Sequence, residues 1–280
     1  MNAPLHLGIR AHDFGQLPLP QLLSKLQQYQ FQHIQFAVRK SFPSSVPRFG
    51  ALSPGTAAYY RQAFERAGIH IAVLGCYVNI THSEVDQREQ ALTDFGVHLR
   101  LARDFGASLV GTETGSVGQG YTEANFTEEA FLRAVDSVRR MVIEAEQFGV
   151  TVGIEAGLNH PLYTAKLTRR LLELIPSPNL QIILDCANLM RPENAERPAD
   201  VIEEALELLG DRIAVIHLKD FRLEDGQIRI VPAGQGELPF APILHYMKYQ
   251  RPHLHGILES TSEPHIADSV QMLNQLYDRL

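Results

Sequence analysis

The chain alternates between two hydrophobic periods. Short runs rich in β-branched and aliphatic residues occur at Leu5–Ile9, His33–Ala37, Ile69–Leu74, Leu109–Thr112, Val150–Glu155, Gln181–Asp185, Ile213–Leu218 and Gly256–Glu259. Several are apolar at nearly every position, the pattern of strands covered on both faces of a parallel sheet. After each comes a longer stretch in which apolar residues return every three or four positions. This predicts helices over Pro20–Gln30, Pro54–Ala67, Val85–Phe105, Glu128–Phe148, Thr164–Leu174, Ala199–Leu209, Phe240–Tyr249 and Ala267–Leu280.

Punctuation agrees with the periods. Ser53-Pro54 reads as a helix start, a capping hydroxyl followed by proline at the first helical position. Gly68, Gly106, Gly149 and Gly210 stand where helix gives way to strand and are predicted as left-handed caps. Eight successive strand–helix units, with no antiparallel hairpin signal, predict an α/β fold of the (β/α)8 TIM-barrel type. The competing doubly wound sheet needs a glycine-rich nucleotide-binding turn after its first strand, and Arg10-Ala11-His12-Asp13-Phe14-Gly15 is not one. Eight units account for nearly all 280 residues, so residues 1–280 are read as one domain.

Composition narrows the function. A 45% hydrophobic chain carrying 20% charged residues has ample core material, and its formal net charge of −7 argues against a general nucleic-acid binder. No apolar run is long enough to span a membrane, and Met1-Asn2-Ala3-Pro4-Leu5 does not read as a secretory signal. Two cysteines, Cys76 and Cys186, make no disulfide framework and read as small buried residues, so the sequons at Asn79 and Asn125 carry no weight. A cytoplasmic enzyme acting on a small molecule, without nucleic acid or membrane as partner, is the expectation.

Candidate chemistry lies at the strand ends, because barrel active sites form at the C-terminal face. The fifth, sixth and eighth runs end in Glu155, Asp185 and Glu259, and the seventh carries His217 followed by Lys219 and Asp220. Adjacent strands are about 4.8 Å apart, so four such groups can meet on one ion. Three carboxylates and an imidazole suit Mn²⁺ above all, with Mg²⁺, Co²⁺ or Zn²⁺ also compatible. Read singly, each is as well explained as a solvated loop residue. Together they would be an electrostatically costly cluster without a cation.

Gly153-Ile154-Glu155, Leu184-Asp185-Cys186-Ala187-Asn188, His217-Leu218-Lys219-Asp220, Leu258-Glu259 and the Gly234-Gln235-Gly236-Glu237 turn resemble the xylose isomerase-like TIM barrels. The likeness is to their sugar phosphate isomerase/epimerase group and covers essentially the whole chain. It implies that Glu155, Asp185, His217 and Glu259 are metal ligands, that Glu155 and Glu259 are also the catalytic acid/base pair, and that the protein is a homodimer or homotetramer. One position departs from the pattern: epimerases of the group carry histidine three residues after the strand-six aspartate, where this chain has Asn188.

A site of this kind polarises a carbonyl and helps a carboxylate take the neighbouring C–H proton, giving an enediolate. Return of the proton on the other face is epimerisation, and return at the next carbon is isomerisation. Loss of a β-hydroxyl is dehydration, as of an inosose. Glu113, His160, Asn188 and Lys219 are the candidate substrate contacts, with Lys219 able instead to pair with Asp220. His12, Tyr77, His82 and Cys76 are weaker candidates. Gly234-Gln235-Gly236 could cradle a phosphate through its N–H groups but reads first as a plain turn. A DNA-repair nuclease of the endonuclease IV type is a remote alternative, disfavoured by Asn188 and by the net charge.

Overall fold

The computed structural model describes residues 4–280. Met1, Asn2 and Ala3, on which the absence of a signal sequence was read in part, lie outside the described residues. Eight parallel strands close into a barrel: β1 (Leu7–Arg10), β2 (His33–Phe36), β3 (His70–Gly75), β4 (Leu109–Glu113), β5 (Thr151–Glu155), β6 (Leu180–Asp185), β7 (Ile213–Leu218) and, after a hairpin, β10 (His255–Leu258), which pairs back onto β1. Closure excludes the doubly wound sheet.

Around it stand α1 (Leu19–Gln28), a single turn α2 (Val38–Ser41), α3 (Pro54–Arg66), α4 (Val85–Leu101), α5 (Glu128–Phe148), α6 (Ala165–Leu174), α7 (Pro198–Leu209), α8 (Phe240–His245) and α9 (Ile266–Arg279). No helix among the described residues is long and apolar enough to cross a membrane. Ser53 caps α3 as expected, accepting from the Thr56 N–H. Gly68, Gly106 and Gly149 have positive φ, but Gly210 has φ −53°: α7 runs on into a 3-10 turn there instead of reversing. The predicted Phe240–Tyr249 helix is α8 followed by a π-turn over Tyr246–Gln250.

One element contradicts the expectation of no hairpin. β8 (Asp220–Glu224) and β9 (Gln227–Val231) pair antiparallel after β7. Their two-residue turn, Asp225-Gly226, has positive φ at both positions, the geometry an Asp-Gly pair adopts most readily.

Inside the barrel, side chains two residues apart share a face. Val73, Leu109, Ile183, Val215 and Ile257 form a buried apolar layer at mid-height. The polar strand ends lie above it, and the first residues of the strands below. Gly8 in β1 belongs to this interior: a Cβ there would fall onto the His33 carbonyl oxygen of β2 and reach 2.8 Å from Ile257 Cδ1. Backbone cannot yield as a side chain can, so Gly8→Ala is expected to cost about 2–3 kcal/mol, at the upper end of overpacking. Gly50→Ala, which meets nothing within 4 Å, is expected to leave stability nearly unchanged. Urea midpoints of the two variants check the pair.

Candidate metal centre

Four neighbouring strands deliver the site. Glu155 and Asp185 are the last residues of β5 and β6, His217 sits one short of the end of β7, and Glu259 follows β10. In register His217 lies beside Asp185 and Ile257, Glu155 beside Ile183, and Glu259 two residues past Ile257, a stagger that goes with the strand tilt of a closed barrel. All four are buried, and one ligand-type atom from each lies within 4.8 Å of the others. His217 Nδ1 is 3.1 Å from Glu155 Oε1 and 2.6 Å from Glu259 Oε2.

Hydrogen bonding decides which electron pairs face inward. Gln35 of β2 donates its Nε2 to the Tyr77 hydroxyl at 2.8 Å, so its Oε1, 2.7 Å from His217 Nε2, must accept from the imidazole. The proton is therefore on Nε2 and the lone pair on Nδ1. His217 Nδ1, Glu259 Oε2 and Asp185 Oδ2 are all shut off from solvent without a well-directed hydrogen bond. The short Nδ1–Oε2 approach is not aligned as donor and acceptor, and Lys219 Nζ meets Asp185 Oδ2 at 3.0 Å as an ion pair only. Buried groups in this condition need a partner, and a cation is the one that suits two carboxylate oxygens and an imidazole lone pair together.

The charge balance points the same way. Lys219 Nζ also lies 2.9 Å from Glu259 Oε1, and Arg10 bridges Glu259 and Asp13 at 2.9 and 2.8 Å. The four carboxylates of Glu155, Asp185, Glu259 and Asp13 against the two permanent cations Lys219 and Arg10 leave two negative charges, which one divalent cation would neutralise. In the field of these side chains alone, burial opposes a charge on His217, yet Glu155 and Glu259 push its pKa up to about 10. A proton and a metal ion thus compete for Nδ1. The two glutamates differ sharply. Burial raises Glu155 to about 7, whereas at Glu259 the same burial is outweighed by Lys219, His217 and Arg10, which hold it well below the usual carboxylate range.

A family model described as xylose isomerase-like TIM barrel matches residues 23–276. The chain belongs to the xylose isomerase-like TIM barrel family. With the barrel mouth built as above, it is an enzyme. No curated protein matches it significantly in sequence. Solved structures share its fold at low identity. The apo 3-keto-D-glucoside 4-epimerase of E. coli superposes with TM-score 0.75 at 14% identity, covering 98% of this chain and 99% of that one. The probable 3-DHS dehydratase of Bacillus anthracis gives 0.70 at 17%, covering 99% of each. A xylose isomerase-like TIM barrel protein of Mycobacterium smegmatis in complex with magnesium gives 0.69 at 17%, covering 99% and 97%.

The other sequence candidates fall into two groups. Glu113, the Cα neighbour of Glu155 across β4 and β5, lines a cavity of about 560 Å³ with Tyr77, Tyr121, Asn159 and His160. Burial lowers the pKa of His160, so its ring is neutral there. Asn188 and Lys219 instead bind the protein's own carboxylates. Asn188 Nδ2 donates to Glu155 at 2.9 Å and its backbone N–H to Asp185 at 3.1 Å. Lys219 does not pair with Asp220, whose carboxylate accepts from the N–H groups of Phe221, Gly234, Gly236 and Leu238. Those bonds use the amides of the Gly234-Gln235-Gly236 turn, which is therefore a turn stapled to Asp220 and not a phosphate cradle.

His12 stacks edge-on against Tyr77 near the site, while His82 accepts from the Glu84 N–H in its own loop. Cys76, Cys186 and the sequon Asn125 are buried. Sequence reading missed Gln35, Arg10 and Asp13. Arg10 closes the first apolar run just as Glu155 closes the fifth, so the same question asked of that strand finds it.

Gln35 fixes the tautomer that leaves Nδ1 free, and such outer partners of a metal histidine are worth about 10–100-fold in affinity. Gln35→Leu is expected to weaken Mn²⁺ binding by that amount with the fold intact. In the unaltered protein the affinity is expected to rise with pH between 6 and 8, as the proton bound below a pKa of about 10 is released. Calorimetric titration of metal-free protein at several pH values checks both, and a pH-independent affinity contradicts the assignment of His217.

Proposed function

We propose that the chain is a divalent-metal-dependent isomerase or epimerase of a sugar, sugar phosphate or polyol, acting by proton transfer at a carbon beside a carbonyl. The observation that carries this is the convergence of three carboxylates and the Nδ1 lone pair of His217 at the barrel mouth. In this reading Glu155, Asp185, His217 and Glu259 hold the ion. The hard, oxygen-rich donor set favours Mn²⁺, with Mg²⁺, Co²⁺ and Zn²⁺ in the same range. When bound, the ion supplies Lewis acidity to the substrate carbonyl.

The remaining work falls to the protein. Glu259, kept ionised by Lys219 and Arg10, is suited to take a proton from carbon. Glu155, its Oε1 fixed by Asn188 and without a lysine or arginine on its carboxylate, can hold a proton and return it. Lys219 and Arg10 stand on Glu259 and not on Glu155, so the two carboxylates are not equivalent. Glu113 and His160 offer polar contacts to substrate hydroxyls from the adjoining cavity. Asn188 and Lys219 would meet the substrate from positions already set by the carboxylates they orient. The proposal includes one barrel domain over residues 1–280, a cytoplasmic setting and a homodimer or homotetramer.

Dehydration of a keto-polyol such as an inosose is the second reading. It begins with the same proton abstraction, and the fold likeness to the Bacillus anthracis dehydratase is nearly as high as to the epimerase.

Proton NMR in D₂O, with ketose, inosose and hydroxypyruvate substrates and added Mn²⁺, reports exchange and product together. Deuterium is expected at the carbon beside the carbonyl. Glu155→Gln and Glu259→Gln are each expected to lose about 10²–10⁴-fold in turnover. Chelation should abolish activity and Mn²⁺ restore it. Turnover by chelated protein without exchange would sink the proposal, and an elimination product would select the dehydratase.

A further inference from the structure

The opposite end of the barrel carries a second concentration of ligating side chains. His6 precedes β1, and His33, His70 and His255 open β2, β3 and β10, four strands that are consecutive around the barrel. Strand periodicity gives three of them a common direction. His6 lies two residues before Gly8 and four before Arg10, His33 two before Gln35, and His255 two and four before Ile257 and Glu259. All three therefore point into the barrel interior, on the side below the apolar layer. The ring of His33 comes within 4.1 Å of that of His255, centroid to centroid, across β1, where Gly8 is the register partner of His33. His6 stands 6.0 and 5.9 Å from the two, and His70 stands 6.1 Å from His33.

Three further observations fit this cluster to a metal ion. His33 Nδ1 is shielded from solvent and has no hydrogen-bond partner. His6 and His33, though not His255, line a cavity of about 740 Å³ that extends toward Gln27 of α1 and Asn274 of α9, and none of its lining residues is acidic. Burial and the neighbouring histidines lower the pKa of His33 to about 4, and burial also lowers that of His255, so both rings keep free lone pairs at neutral pH.

A tetrahedral ion with metal–nitrogen bonds of about 2.0–2.1 Å keeps three imidazole centroids about 5 Å apart. The observed separations, 4.1, 5.9 and 6.0 Å, lie on either side of that value. Because, among the described residues, only the mouth cluster already has its ligand atoms within 4.8 Å of one another, the three rings reach one ion by turning about their side-chain torsions. His6 stands edge-to-face to the other two and is half-buried at the cavity edge.

We propose that His6, His33 and His255 form a second metal-binding site on the floor of the barrel, selective for imidazole-preferring divalent ions such as Zn²⁺, Ni²⁺ and Cu²⁺. Its donor set is neutral nitrogen, whereas that of the mouth is mainly anionic oxygen, so the two sites sort metals by chemistry. The floor site is independent of the activity proposed for the mouth.

The test counts Zn²⁺ bound per chain by elemental analysis after chelation, reloading and gel filtration. Unaltered protein is expected to hold two ions and Asp185→Asn, which damages the mouth, one. The His33→Gln/His255→Gln variant is also expected to hold one. Cu²⁺ bound to Asp185→Asn should give an electron paramagnetic resonance spectrum split by several imidazole nitrogens, where the mouth could contribute only one. His6→Gln, which alters a half-buried residue at the cavity edge, should weaken floor affinity more than about tenfold and serves if the double variant does not fold. An Asp185→Asn protein that retains no ion overturns the proposal. So does a full count of two in the folded double variant, or an unchanged affinity in His6→Gln.

Discussion

Burying charge at the barrel mouth is the constraint on which the rest of the site depends. Glu155, Asp185 and Glu259 are all removed from water within one cluster, and like charges in that setting either take up protons or find cations. This protein does some of each. Lys219 and Arg10 are drawn in as permanent counter-charges and both settle on the same oxygen of Glu259. Glu155, left without such a partner, has its proton affinity lifted into the neutral range. The difference in proton affinity between two chemically identical side chains thus comes from where the two cations are placed.

The barrel supplies this arrangement through alternation and register. Successive inward positions on one strand divide its length into layers: polar groups above, a band of aliphatic side chains between, histidines below. The aliphatic band insulates the two polar ends from each other. It also keeps the carboxylate-rich cluster at the mouth apart from the histidines on the floor.

Much of the fold was legible along the chain, because each strand is bounded by a turn signal and each apolar run has a definite end. Glu155, Asp185 and Glu259 were readable for that reason, each closing an apolar strand, and His217 as the one polar side chain in an apolar run, a residue short of its end. Gln35 was not. It stands one residue short of the end of its strand as His217 does, but a neutral amide is no metal-ligand type, and its role depends on meeting His217 across 182 residues of sequence. Pairing of Lys219 with its neighbour Asp220 was the alternative to a substrate contact, but adjacent residues on an extended strand face opposite ways. Lys219 turns inward to Asp185 and Glu259, while Asp220 turns to the loop that returns after the hairpin. That hairpin did leave a trace, Asp225-Gly226, between runs too short and too polar to stand out as strands.

By itself the sequence determined the ladder of eight strand–helix units and the residue types that top each strand, since both follow from local period and local punctuation. Closure of the barrel decided the rest. It set β10 beside β1, which brings Arg10 to Glu259 and joins the histidines of β10, β1, β2 and β3 into one floor. It also selected the imidazole nitrogen that faces the carboxylates, because that choice depends on a glutamine delivered from across the barrel. Local pattern fixes the face and height at which a side chain leaves its strand; only the closed sheet fixes which other side chains it meets there.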